Sequence, residues 1–590
     1  MNLLGRRVPD AVSAAVDRLD QAKHRFTARD RATKLAALRL LAGHPIPKGA
    51  LLLRFHEALC FLRAYPDAAD LLGAVEDGLA GMSLRVVALT AGGRGKGLEA
   101  VREAGIAGTT LHSPLSFAAV RWLTARFPDL VEIDWDDPDS ETSLGLLLPW
   151  VVGLAEEDVL VEVGVPGRAW LRVAKGADGR SDLTWLLSRL DASGKGGRVG
   201  RAVYDARELP IRWELRDTVA SRTLATIPVP RVFFHRGPLL RWRGPLGRRL
   251  PGPRLAVRRA AGHEANALLD AARAAVLVRD REVHAFNFAN PDDVVVSDAG
   301  RVVRIAWFGV LASHRLPLRA HYGYLLLKNG VPVGYGDASL LLDWVEIAFN
   351  IFETFRRGES AFIFVRLLGF LYQQFGVRAF HLSPYQLGLG NDEALESGAF
   401  WFYYKLGFRP KASDLARLAR EERWRIARKP GYRSSRETLE RLGTGGMFCA
   451  VGGGRSQASR GFDVRRVSLG ALEEVARRGG SPDPATTTAT AADRLDGVRW
   501  RAWPQRERVA FERLAPILAA LPDLPRWPRR DRRALVEIAR AKGGPREADY
   551  PRLMRAHRRL RGSLLRLGQT RVEVQSPPSS SASRSSSRPK

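Results

Sequence analysis

The chain has 590 residues, of which 45% are hydrophobic and 26% charged, and a formal net charge of +30 at pH 7. That length exceeds what one hydrophobic core supports and predicts several domains, and the near-average composition excludes a wholly disordered or fibrous chain. Two widely separated cysteines, Cys60 and Cys449, lie outside any CxxC pair; they exclude a disulfide scaffold and a cysteine-based zinc module, and predict a reducing, cytoplasmic setting.

The first residues turn charged and amphipathic at once, without the apolar stretch of a secretory signal. Residues 1–80 predict helices, because apolar residues recur at helical spacing over 32–41 and again over 51–62. Residues 81–192 read as a mixed α/β region, with strand-like runs at 84–89, 130–135, 159–163 and 169–173. The apolar run 144–155 stops at Glu156 and Glu157. It falls short of the ~18 residues of a membrane span, so no membrane-crossing segment is expected.

Two motifs in this region tempt a ligand reading and fail it. The glycine-rich run 91–97 follows a predicted strand but lacks the Lys-Ser/Thr ending of a phosphate-binding P-loop. Asp134, Asp136, Asp137 and Asp139 crowd one loop without the glycine and terminal glutamate of a calcium loop, and no metal site is expected.

Residues 193–262 form a basic Pro/Gly-rich connection, opening with a flexible break at 192–197 and carrying Phe233, Phe234, Leu239, Leu240 and Trp242 among its arginines. The chemistry concentrates in 263–412. A strand over 321–328 meets Asn329-Gly330, a turn pair that tolerates positive φ, and returns as a second strand over 331–341. A third strand spans 345–355, with Glu346 and Asn350 on one face. Arg356, Arg357, Gly358, Glu359 and Ser360 then lead into an apolar helix over 361–375, followed by a strand at 377–382. An Arg/Gly/Ser turn at a helix N-terminus offers free N–H groups and the positive end of the helix dipole, the chemistry of a pyrophosphate site. A last helix is expected from about Asp392 to Phe402-Tyr403-Tyr404-Lys405-Leu406-Gly407-Phe408.

This order, with its FYYKLGF ending and Asn391 at the head of the last helix, resembles the GNAT superfamily of N-acyltransferases over about a fifth of the chain. The resemblance implies transfer of an acyl group from acetyl-CoA or another acyl-CoA to a small-molecule, peptide or protein amine. On that reading Tyr403 protonates the departing thiolate, and Glu346 or Glu353 serves as general base, Glu346 being favoured for sharing a face with Asn350. Arg356, Arg357, Gly358, Ser360 and Asn391 hold the cofactor, and Asn350, Tyr385 and Gln386 contact substrate. The loop departs from the family pattern: Phe355 stands where Arg or Gln is usual, and Glu359 brings a negative charge. His321 and His381 read as structural, with His381 the outsider for a base.

The remainder is predicted as a basic helical extension (413–477), a low-complexity linker (478–493), a small helical module (494–570) with Phe511, Trp503 and Trp527 as core, and a disordered Ser/Pro-rich tail (571–590). The expected fold class is therefore α/β and multidomain, a central GNAT-like mixed sheet flanked by helices, with a helical N-terminal region and a helical C-terminal module. The excess of positive charge also suits RNA or another polyanion as partner. Two further readings thus stand beside the acyltransferase: a tRNA-dependent aminoacyl transferase and a non-catalytic nucleic-acid-associated scaffold.

Overall fold

A computed structural model describes residues 4–91, 97–153, 165–193, 198–242, 244–246, 250, 252–451, 464–477 and 483–568. The expected strand at 159–163, most of the glycine-rich run 91–97 and of the break at 192–197, and the tail lie outside the described residues. The chain is a mixed α/β protein with a large mixed sheet and many helices, and it divides into two compact units. One comprises 1–455 with 545–548; the other comprises 456–544 with 549–590. No described helix is long and apolar enough to cross a membrane.

The first unit begins with helices Leu4–Ala22, Ala28–Ala42, Gly49–Ala64 and Ala69–Ala80. The second of these starts at a capping box: the Thr27 hydroxyl accepts the Asp30 N–H, and the Asp30 carboxylate accepts the Thr27 N–H. Gly49–Ala64 is buried on nearly every side. Two short runs expected as strands are helical. Residues 84–89 lie in Met82–Ala91, and 169–173 lie in Gly167–Lys175. Runs of five or six apolar residues carry too few turns to separate period 2 from period 3.6, and here the flanking residues continue a helix. A small antiparallel sheet, in the order β1 (Thr110–Pro114), β3 (Pro210–Glu214), β2 (Val131–Ile133), packs with its helices around Trp170, Trp185, Leu186 and Trp213.

Among the described residues the large sheet has nine strands in the order β11-β12-β10-β9-β8-β7-β6-β5-β4. Its members are β4 (Ala256–Ala260), β5 (Ala289–Gly300), β6 (Val303–Val310), β7 (Ala320–Lys328), β8 (Val331–Leu341), β9 (Trp344–Ile351), β10 (Ala379–Leu382), β11 (Arg409–Pro410) and β12 (Met447–Ala450). All neighbours are antiparallel except β9 and β10. The β7–β8 turn is Asn329-Gly330, with φ of 50° and 82°. A Cβ at Gly330 would also run into the carbonyl of Ile227, so both conformation and space require glycine there.

The strand expected to run from 345 to 355 ends at Ile351, and Glu353–Phe355 is a 3-10 turn, so Glu353 is not on the long strand. The Ser360–Phe375 helix connects the parallel pair and covers one face of the sheet. Phe364 packs on Phe349 at 4.7 Å between ring centroids, and Phe370 stacks on Trp307 at 4.3 Å. The single last helix expected from 392 is two, Asp392–Ser397 and Ala399–Lys405, divided at Gly398. Within the first unit, Glu547 is fully buried; its carboxylate accepts the N–H groups of His321 and Val310 and faces Arg315 at 3.5 Å.

The second unit is helical among its described residues, with Phe511, Leu514, Leu518, Leu535 and Leu564 in its interior, Trp503 edge-on to Phe511, and Trp527 buried. Part of the expected linker is ordered: Pro484–Asp493 is a helix capped by Asp483, whose carboxylate accepts the Thr486 N–H at 2.8 Å.

Candidate active site

Strands β9 and β10 pair over only three positions: Trp344 with Ala379, Val345 with Phe380 and Glu346 with His381. Beyond them β9 continues to Ile351 while β10 ends at Leu382. A strand edge left unpaired must satisfy its N–H and C=O groups otherwise, and side chains do so here. Gln386 Oε1 accepts the N–H of Phe349 at 3.1 Å, and the Tyr403 hydroxyl donates to the Phe349 carbonyl at 3.3 Å.

A cleft opens at this divergence, lined by Phe349, Asn350 and Ile351 of β9, Arg356 and Ser360 at the start of the covering helix, and Gln386, Asn391, Phe402 and Tyr403 from the later loops and helices. Six predicted site residues therefore converge: Asn350, Arg356, Ser360, Gln386, Asn391 and Tyr403. Tyr403 is 2% exposed, and burial holds its hydroxyl pKa well above the usual range, so it keeps its proton. Asn391 caps the short 392–397 helix, accepting the Ala394 N–H at 3.1 Å, and its amide donates to the Tyr385 carbonyl.

The other predicted residues lie elsewhere. Glu353 and Arg357 line a second cavity on the far side of the Glu353–Gly358 turn, and Tyr385 is exposed and outside the cleft lining. Gly358 is pressed against Tyr65: an added Cβ would lie 2.6 Å from its hydroxyl. The Glu359 side chain turns inward. It is fully buried, accepts the Leu240 N–H at 3.0 Å, and faces Arg301 at 3.5 Å and Lys328 at 3.8 Å. The charge that the sequence places among the loop's cations is thus used inside the protein.

Glu346 lies on the same face of β9 as Asn350 and Ala348, with an unbroken β8–β9 register, but at the paired end of the strand and outside the cleft lining. His381 Nδ1 stands 3.4 Å from its carboxylate and Arg319 3.8 Å. On this face the sequence reading missed Asp337. It sits on β8 between Gly323 and Ala348 of the neighbouring strands, diagonal to Glu346. Burial pushes its carboxyl up to about 6, the Glu346 carboxylate adds to the rise, and Arg319 opposes it. The available signal was an acidic residue inside an otherwise apolar strand.

Glu393 was also missed. Its carboxylate pairs with both Arg356 and Arg281, and it lines the cleft. Nothing in the spacing of 281, 356 and 393 announces that triad. Among the described residues no cluster of three or more His, Cys, Asp or Glu side chains is arranged to hold a metal ion.

The cleft offers a proton-bearing phenol and a helix N-terminus with an adjacent guanidinium; the carboxyl whose pKa lies near neutrality, Asp337, stands opposite Ala348 on the next strand and, like Glu346, outside the cleft lining. No family model, curated protein or solved structure matches this chain.

Proposed function

We propose that the 1–455 unit is a GNAT-like N-acyltransferase that moves an acyl group from an acyl-CoA-type thioester to an amine. The observation that carries this reading is the divergence of β9 from β10, with Tyr403 and the head of the Ser360–Phe375 helix on the two sides of the resulting cleft. A thioester carrier lying there has its phosphates at the helix N-terminus, beside Arg356 and Ser360, where unpaired N–H groups and the helix dipole favour anions.

In the proposed reaction the amine nitrogen attacks the thioester carbonyl carbon, forming C–N as C–S breaks. The proton lost by the amine goes to Asp337, directly or through water, with Glu346 as the neighbouring carboxylate. The departing thiolate takes the Tyr403 proton, so an amide and a thiol are released and the phenol regains its proton from solvent. Asp337 suits the base role because its pKa of about 6 leaves it ionised yet basic at neutral pH.

The test is isothermal titration with acetyl-CoA and a longer acyl-CoA, followed by single-turnover transfer to a panel of amines. Tyr403→Phe should leave thioester binding intact and lower the transfer rate on the order of a hundredfold. An unchanged rate removes the assigned acid.

One observation favours a second reading, a non-catalytic polyanion-binding scaffold: Glu393 already neutralises Arg356 within the cleft. On that reading no thioester binds, and affinity for RNA falls steeply with salt.

A further inference from the structure

We infer that the cavity between the N-terminal helices and the Glu353–Gly358 turn is an anion subsite for a phosphorylated nucleoside, the distal end of the carrier whose reactive end occupies the β9–β10 cleft. The inference rests on the acyltransferase reading for the identity of the carrier, and on the cavity's own chemistry for the anion.

The cavity has a volume of about 600 Å³, and Arg356 lines both it and the cleft. Five cationic side chains face it, Lys23, Arg54, Arg222, Arg356 and Arg357, against three carboxylates, Asp20, Glu57 and Glu353. Most of these are matched. Lys23 pairs with Asp20 at 2.6 Å, Arg54 with Asp17 at 2.8 Å, Arg222 with Glu57, and Arg356 with Glu393. Among the described residues Arg357 has no ion pair, although its backbone carbonyl accepts from Arg241 at 3.5 Å.

His24 also lines the cavity. Its ring lies edge-on to Phe61 at 4.4 Å, and among the described residues neither ring nitrogen has a hydrogen-bond partner. Burial above all, and then the neighbouring Lys23, Arg357 and Arg241, push its pKa down to about 4 against the opposing pull of Asp20. The Arg357 guanidinium, without an ion pair among the described residues, is a donor short of an acceptor, and a phosphate oxygen fills that role; the neutral His24 adds one N–H at most and no charge. The rest of the wall is Leu53, Ala100, Ala104 and Thr354, and its apolar part offers a surface for a flat heterocycle. This gives the N-terminal helices a part in binding, because Lys23, His24, Leu53 and Arg54 all come from them or the turn between them.

The experiment is calorimetric titration of the full chain with adenosine 3′,5′-bisphosphate, CoA, CoA lacking its 3′-phosphate, and pantetheine. It is run on the wild type, Arg357→Ala, Arg357→Lys and His24→Phe, with unfolding midpoints as the folding control. The bisphosphate and CoA should bind saturably, and Arg357→Ala should weaken both at least tenfold with pantetheine binding unchanged. Arg357→Lys should recover part of the loss, and His24→Phe should weaken the bisphosphate. CoA binding that is indifferent to Arg357 and His24 overturns the subsite while leaving the acyltransferase reading in place. Arg357-dependent bisphosphate binding without acyl transfer upholds the subsite and sinks the acyltransferase. Arg357-dependent binding of a short RNA ending in adenosine, with none of CoA, overturns the small-carrier assignment.

Discussion

Gln386 stands in for a missing strand: its side-chain carbonyl accepts the Phe349 N–H at 3.1 Å, the bond that β10 would make if it ran on beside β9. The residue is 7% exposed, so its amide is committed to this edge rather than to solvent. Gln386→Leu leaves a buried N–H without an acceptor and should lower stability by about 1–3 kcal/mol, read as a shift in the urea midpoint at constant slope. An unshifted midpoint would mean that water or another group replaces the amide at no cost.

Asp337 sets the pH dependence. Its folded pKa is about 6, raised from 3.8, so the fold holds the protonated form more tightly than the unfolded chain does. The sign follows: its contribution to stability is fully present below about pH 3.8 and is lost as pH rises through 6. The ionised carboxyl costs the fold about 3 kcal/mol. Asp337→Asn should therefore be more stable than the wild type at pH 7.5, with the difference shrinking toward pH 4. In the transfer assay the acid limb of kcat/KM should lie near pH 6 in the wild type and vanish, with most of the rate, in Asp337→Asn.

Glu359 neutralises two cations, the part-buried Arg301 and Lys328, which is fully buried beside Phe233 and Tyr65. Removing the charge alone, as Glu359→Gln, strands those cations and should cost about 3–5 kcal/mol. Combining it with Lys328→Met should restore much of the loss, and the coupling is read from the double-mutant cycle of thermal unfolding. Independent, additive effects would show that the three side chains do not act as a unit.

Glu393 occupies Arg356 and Arg281 at once. Glu393→Gln releases the Arg356 guanidinium in the cleft lining from its ion pair, and Arg281 from its own, and should tighten binding of a polyphosphate ligand at low salt, with an increased dependence on ionic strength. Weaker binding in that variant would instead mark Glu393 as the group that holds Arg356 in its productive position.

Four strands of the large sheet, β7 to β10, were legible one element at a time; β5, β6 and β11 were not read as strands, and β4 and β12 fall in stretches read as a connecting segment and a helical extension. The alternation over 320–351, the Asn329-Gly330 turn and the apolar helix before Gly376 are local patterns, and each names its element and its neighbour. Short apolar runs did not resolve, and 84–89 and 169–173 became helices because a five-residue window carries no usable period. The placing of Asn350, Ser360 and Tyr403 around one space followed from the order of strands and helices. The partnerships of Glu393 with Arg281 and Arg356 did not, since contacts between residues more than thirty positions apart leave no trace in spacing.

What the sequence determined by itself is therefore the kind of element at each long periodic stretch, the tight turn between β7 and β8, and the candidacy of the residues around the β9 end. Only the tertiary structure decided which charges are available there. It turned Glu359 inward to Lys328 and Arg301, tied Arg356 to Glu393, left Arg357 facing a separate cavity with His24, and raised Asp337 toward neutrality. The physical reason is that periodicity records which side of an element is apolar, whereas the charge state and reach of an ionisable group depend on burial and on neighbours brought together by the whole fold.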